Sequence, residues 1–477
     1  MKSSSELFLG SRCSLSGEQR LEALKLPPHH LTTHAVVVGM TGSGKTGLLT
    51  VLVEEALLAG VPVLMFDVKG DLPNLLLAFP SFESRELEPW VEAAPGDLRS
   101  TEDLASALAE ERRVGLNAWN VTEKDLRCFA DTTHIQVITP GSSAGLPLHV
   151  LSSLEHPVTD WKSQPDAALA SLSAAVSLVL RLLGRDADPA SSREHVLLSV
   201  LAERRLRAGE PSDLGSLLED VTNPPVAKVG ALPTDRFMSK RDRASLAAAL
   251  NTLLASPSFA SWRSGVPIDI GQWLTPKDGK TPGVIVSVAH LDDDERALVL
   301  GVLLEEVLTW VRGLSGSKRL RALIVFDELY GFLPPHPANP PTKRPLVALM
   351  KQARAFGVGM VLATQNPMDL DYRALSNAGL WCIGRLQTDA DRERVVEGLA
   401  TAKAGVNGLS TAELSDFTKR LSPRWFLMRN AHSENGTQLM QPRWAFSLLR
   451  GPMTAAEIRR ARERGEPGGE PDGRPRI

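Results

Sequence analysis

The chain has 477 residues, more than the roughly 250–300 that one hydrophobic core serves, so more than one lobe is expected. Lys and Arg total 53 against 56 Asp and Glu, a net charge of −3, which excludes a wholly basic nucleic-acid coat and a strongly acidic disordered chain but leaves room for a local basic channel. Hydrophobic residues at 43% and charged residues at 23% suit a folded globular protein, and 5% aromatics exclude a surface dominated by stacking platforms.

Residues Met1 to Glu6 lack the apolar run of a signal peptide. The longest apolar stretch, Ala167 to Leu180, carries serines and ends at Arg181, short of a membrane span. Cys13, Cys128 and Cys382 follow no metal-ligand spacing, and a reducing cytoplasm is expected. Apolar runs at Ala35–Gly39, Pro62–Asp67 and Ile135–Thr139 predict strands. Further runs lie at Gly283–Val288, Ala322–Asp327, Gly359–Thr364 and Leu380–Leu386. They are continuous rather than alternating, as in parallel strands covered by helices on both faces. The stretch 151–281 shows helical patterns at Ala167–Leu183, Glu194–Ala208 and Asp242–Leu254 and is read as a helical insertion in an α/β core. Leu333 to Pro341 is proline-rich and is expected to be a stiff loop. The expected division is a lead segment 1–30, core halves 31–150 and 282–400 around the insertion 151–281, a small C-terminal lobe 401–461, and a disordered tail 462–477.

Gly39-Met40-Thr41-Gly42-Ser43-Gly44-Lys45-Thr46 matches G-x-x-x-x-G-K-[ST] between an apolar strand and a helical pattern. Glycines there let backbone N–H groups turn onto phosphates, and the helix N-terminus adds positive partial charge. Gly39, Thr41, Gly42, Ser43, Gly44, Lys45, Thr46 and Gly47 are the expected nucleotide-binding residues, with Lys45 on the β- and γ-phosphates and Thr46 on Mg²⁺. Leu323 to Glu328 is an apolar run ending in two acids, where Asp327 is expected at Mg²⁺ and Glu328 as the base for the attacking water. Gln365 ends another apolar run and is expected to touch the γ-phosphate or that water. Asp67, Lys69 and Asp71 either face the nucleotide or a neighbouring subunit, or form an ordinary charged turn. A guanine-reading Asn-Lys-x-Asp is lacking; the nearest form, Asn366-Pro367-Met368-Asp369, has Pro in place of Lys.

These motifs resemble the HerA/FtsK superfamily of DNA-pumping ATPases, and its HerA-like bacterial branch in particular. The resembling stretches are Leu31–Val38 leading into the glycine loop, Asp67–Leu72, Thr139–Ser142, Lys351–Gly357 running into Thr364–Pro367, Gly384–Thr388 and Arg443–Pro452. The resemblance implies a RecA-like core in a homo-hexameric ring, with ATP and Mg²⁺ between subunits and double-stranded DNA in the channel. It also implies an arginine acting on a neighbour's nucleotide, with Arg385 the first choice and Arg354 the second. The stretch before Ala35 is shorter than the β-barrel of larger members, which bears on docking of a nuclease partner. Arg204-Arg205-Leu206-Arg207 and Lys240-Arg241-Asp242-Arg243 can line a pore or form a solvated helix face. The expected function is Mg²⁺-dependent ATP hydrolysis driving DNA translocation or remodelling, as in a helicase-like motor. The alternative is a nucleotide-gated assembly ATPase of a defence or secretion system that does not act on DNA.

Overall fold

A computed structural model describes residues 6–14, 19–155, 161, 165–365, 367, 370–371, 378–386, 388–393, 417–433 and 437–465. Eleven strands among them form one sheet. In chain order these are β1 (Leu7–Cys13), β2 (Arg20–Leu26), β3 (Ala35–Val38), β4 (Val63–Asp67), β5 (Thr133–Ile138) and β6 (Thr281–Ser287). The rest are β7 (Ala322–Phe326), β8 (Val358–Thr364), β9 (Leu380–Ile383), β10 (Phe426–Asn430) and β11 (Thr437–Pro442). The spatial order is β2-β1-β11-β10-β9-β3-β8-β7-β4-β6-β5. From β9 to β5 all neighbours run parallel. From β9 to β2 they run antiparallel.

The seven expected strands are the seven parallel ones, with ends displaced by a few residues. Alternation within them decides which core each side chain enters. Val36, Val38, Leu64, Phe66, Ile324, Phe326, Met360 and Leu362 enter one core. Ala35, Val37, Val63, Met65, Leu323, Val325, Val361 and Ala363 enter the other. Both faces are covered, so no polar residue is needed on either.

The second core is roofed by α1 (Lys45–Leu58), α2 (Thr101–Asn117) and α3 (Glu123–Thr132). The first is roofed by the insertion helices α4 (Pro165–Leu182), α5 (Arg193–Ala208), α6 (Leu214–Thr222) and α7 (Lys240–Ala255), with α8 (Asp293–Gly313) and α9 (Lys343–Gln352). Asp292 caps α8 in a capping box, its Oδ1 accepting the Glu295 N–H at 2.8 Å, so the acidic run there serves the helix dipole. Trp381 is core, at 4% exposure.

Two departures from expectation concern the ends of the chain. β1 and β2 lie in the segment read as a lead, and β10 and β11 in the segment read as a C-terminal lobe; all four belong to the main sheet. The last helix, α10 (Ala455–Gly465), runs past the point where a disordered tail was expected to begin, and residues 466–477 lie outside the described residues. Among the described residues no helix is long and apolar enough to cross a membrane.

Candidate nucleotide site

The parallel strands end on one edge of the sheet, and the expected site residues follow them there. The glycine loop follows β3, Asp67 ends β4, Asp327 and Glu328 follow β7, and Gln365 follows β8. Gly44 is the N-cap of α1 in the left-handed conformation, with φ of 94°, and no side chain caps the helix. By contrast Ser100, Ser192, Asp213, Ser239 and Asp292 cap α2, α5, α6, α7 and α8 through their side chains. The first N–H groups of α1 therefore face the loop without side-chain competition, which suits an anion.

A cavity of about 370 Å³ opens there, lined among others by Thr41, Gly42, Lys45, Thr46, Asp327 and Gln365. The Lys45 ammonium donates to the carbonyl oxygens of Gly39 and, at 3.1 Å, Met40. Burial pulls its pKa down to about 8, the nearby Lys69 adds to the fall, and Glu328 opposes it. Glu328 Oε2 lies 2.7 Å from the Lys69 ammonium, and its Oε1 accepts the Gln365 N–H at 3.2 Å. The Gln365 side chain accepts the Thr41 hydroxyl at 2.6 Å. A continuous set of contacts thus runs from Lys69 through Glu328 and Gln365 to the glycine loop.

Behind it sit two buried acids. Asp67 accepts the Gly70 N–H at 2.9 Å and the Ser287 hydroxyl at 2.6 Å. Burial nevertheless pushes its pKa up to about 6. Asp327 Oδ1 accepts the Val68 N–H at 3.0 Å, while Oδ2 is buried with no hydrogen-bond partner. Burial first, and then the charge of Asp67, hold its pKa well above the usual carboxylate range. Desolvated neighbouring carboxylates favour a cation or a proton. The unpartnered Oδ2 of Asp327 and Thr46, which lines the same cavity, fit Mg²⁺, which is commonly held by one or two protein oxygens together with substrate phosphates. Among the described residues no cluster of three or more His, Cys, Asp or Glu forms a metal cage.

The two candidate arginines are far from equivalent. Arg385 is exposed on the loop side, and its carbonyl accepts the Met40 N–H at 2.8 Å. Arg354 precedes β8, at the strand-start end, where its charge acts on His34 and His432. Asn366 lies outside the described residues. Half of the basic residues in the two insertion stretches pair within the chain. Arg205 pairs bidentately with Asp220, Arg207 with Glu203, and Arg243, 4% exposed, with Asp235. Arg204, Lys240 and Arg241 remain exposed.

Sequence reading left open the role of Lys69 and missed the two C-terminal contributions. The Arg424 N–H donates to Ser43 O at 2.9 Å, and Gly451 and Pro452 line the cavity. Nothing local marks Arg424, while Gly451 and Pro452 end the Arg443–Pro452 stretch that carried part of the resemblance without a site role being assigned to them.

Residues 20–138 match the family model of the helicase HerA central domain. No curated protein matches the chain. Among solved structures, VirB4 of Thermoanaerobacter pseudethanolicus is similar, with a TM-score of 0.52 and 13% identity over 92% of this chain and 96% of that one. Plasmid coupling protein TrwB, in complex with ADP and Mg²⁺, is similar with a TM-score of 0.50 and 14% identity over 94% and 97%. Fold and site define a P-loop ATPase. Within that class, residues 20–138 are similar to the HerA central domain, and the fold is similar to those of VirB4 and TrwB.

Proposed function

We propose that the chain is the subunit of a homo-hexameric ring that hydrolyses MgATP to translocate or remodel double-stranded DNA. The observation that carries the reading is the convergence of the glycine loop, Asp327, Glu328 and Gln365 on one edge of a parallel sheet. The HerA match over residues 20–138 supports the DNA substrate.

Bound Mg²⁺ would offset charge on the phosphates, with the Thr46 hydroxyl and the Asp327 carboxylate as its protein partners. Lys45 releases the loop carbonyls to meet the β- and γ-phosphates. Glu328 takes a proton from the attacking water, and Lys69 holds its carboxylate in place. Gln365 bonds both Glu328 and Thr41, so it relates the acid to the state of the loop. Arg385, exposed on the nucleotide edge, supplies positive charge to a neighbouring subunit's nucleotide, and Arg354 is the alternative.

The test is phosphate release by the purified chain with Mg²⁺, with and without duplex DNA. Hydrolysis stimulated by DNA and lost in Lys45→Ala supports the reading. Hydrolysis indifferent to DNA, together with a stable protein partner, supports an assembly ATPase instead.

A further inference from the structure

The parallel strands share a second edge, where they start. β3, β8 and β7 lie side by side in the sheet, so the segments leading into them, 28–34, 353–357 and 314–321, come together there. β8 has seven residues, and at about 3.3 Å each this edge lies roughly 20 Å from the nucleotide edge.

Contacts fix the lead-ins against one another. The Ser317 N–H donates to the Ala355 carbonyl at 3.0 Å and the Arg321 N–H to the Gly357 carbonyl at 2.7 Å. Arg312, near the end of α8, donates through Nε to Gln352 Oε1 of α9 at 3.0 Å. Gly357 has φ of 75°, and a Cβ there would sit 2.2 Å from the Arg319 carbonyl oxygen, so glycine lets the 314–321 loop lie this close.

The surface so formed is cationic. Arg312, Lys318, Arg319, Lys351 and Arg354 are exposed and Arg321 is half-buried. Residues 312–321 and 351–357 contain no Asp or Glu, and among the described residues no ion pair joins any of these six to a carboxylate. Glu305 on α8 is buried, and burial raises its pKa against the charges of Arg344 and Arg312, so it returns little negative charge to the surface. Arg312 and Lys351 stand in the last turns of α8 and α9, where a cation complements the helix dipole. Lys318, Arg319 and Arg321 have no helix end to serve. On a chain of net charge −3, this is a local excess. Imidazoles extend it: His29 and His432 are exposed, and the His30 and His432 rings stack at 4.6 Å. Burial first, and then the charge of Arg354, lower the pKa of His432.

None of the large exposed apolar side chains among the described residues lies in these segments. A lipid surface, which holds a protein stably through an apolar anchor beside the charge, therefore fits less well than a nucleic-acid backbone. We propose that the strand-start edge around Lys318, Arg319 and Lys351 holds the sugar–phosphate backbone of duplex DNA, independently of the nucleotide bound one strand length away. The proposal rests on the DNA reading above and adds where and how the duplex is held. Guanidinium forks and lysine ammonium groups displace counterions along the phosphates and read no base edge, so the hold is salt-sensitive and independent of sequence.

The experiment is fluorescence anisotropy of a labelled mixed-sequence duplex with the full chain across a salt series, nucleotide-free and with MgADP. Vesicles of phosphatidylserine and phosphatidylcholine are titrated in parallel. The variant combines Lys318→Ala, Arg319→Ala and Lys351→Ala, three exposed side chains. The control removes the same charge from exposed positions of the insertion, as Arg204→Ala, Lys240→Ala and Arg241→Ala. In the variant the slope of log affinity against log salt should fall by about 2–3, near 0.9 for each lost phosphate contact, and affinity at the lowest salt by about tenfold or more. The loss should be the same with and without MgADP. The control should stay within about twofold of wild type, and phosphate release without DNA should be unchanged in both. A variant that binds duplex like wild type, with hydrolysis still stimulated by DNA, overturns the patch and leaves the DNA reading standing. Equal loss in the control also overturns it, because overall charge then accounts for the binding. A loss confined to MgADP overturns the independence from the nucleotide. A wild-type chain that binds no duplex, whether or not it binds the vesicles, overturns the DNA reading itself.

Discussion

Replacing Arg443 with Met isolates what holds the C-terminal segment against α1. Arg443 and Glu54 are fully buried and Glu55 nearly so. The guanidinium donates to Glu54 Oε2 at 2.9 Å, to Glu55 Oε1 at 3.1 and 2.8 Å, and to the Trp444 carbonyl at 2.7 Å. Glu54 also accepts the N–H groups of Phe446 and Ser447, and Glu55 that of Phe8. One cation therefore serves two carboxylates, and α1 is tied to both ends of the chain. Met fills comparable volume but leaves both acids without a counter-charge. Removing one partner of such a buried pair costs about 3–5 kcal/mol, a large part of a total stability of about 5–15 kcal/mol. Equilibrium urea unfolding followed by circular dichroism measures it. Adding Glu55→Gln to Arg443→Met should return about 1 kcal/mol or more, because residues in one network couple and the Gln carbonyl still accepts the Phe8 N–H. A loss below about 1 kcal/mol in the single variant, against the 3–5 expected for a buried pair, would refute the reasoning.

Glu328→Gln should bind MgATP with near-wild-type affinity while its turnover falls by about two orders of magnitude or more, the scale of a lost general base; single-turnover phosphate release checks it. Gly44→Ala forces an L-residue into φ of 94° and brings a Cβ to 3.0 Å from Arg424, so thermal unfolding should show a loss of about 1–2 kcal/mol and titration should show weakened MgADP. His34 is buried, its Nδ1 accepts the Met360 N–H at 3.1 Å, and burial holds its pKa at about 4. Unfolded histidine takes up a proton below about 6.5 and the folded one only below about 4, so His34 contributes stability above pH 6.5 that is lost as pH falls toward 4, up to ~3 kcal/mol. His34→Asn tolerates the positive φ and keeps an acceptor, and it should flatten the dependence of urea unfolding on pH in that window.

The parallel half of the sheet was legible because strands buried on both faces need unbroken Val, Ile and Leu runs. The antiparallel half was not. In β2, Arg20–Leu26, just Leu24 and Leu26 are buried, and the exposed remainder, with Arg20, Glu22 and Lys25 charged, suits an edge strand as well as a helix or loop. The candidate-site edge was legible because loop, acids and amide each follow the end of a strand, which puts short motifs in sequence. The Lys69–Glu328 pair joins two strand ends through tertiary structure, and local residues do not specify it. Arg424 and Trp444 lie some 380–400 positions from the loop they approach, and the buried network of Arg443 with Glu54 and Glu55 makes that approach possible. The near-neutral charge also reads differently in the fold, since Arg205, Arg207 and Arg243 are spent on internal pairs.

ATP turnover by the full-length chain, measured with Mg²⁺ against duplex DNA of increasing length, tests the central claim most directly. A DNA-pumping ring predicts Mg²⁺-dependent hydrolysis that rises with duplex length and disappears in Glu328→Gln. A well-folded wild-type chain that hydrolyses no ATP at any DNA length would contradict it.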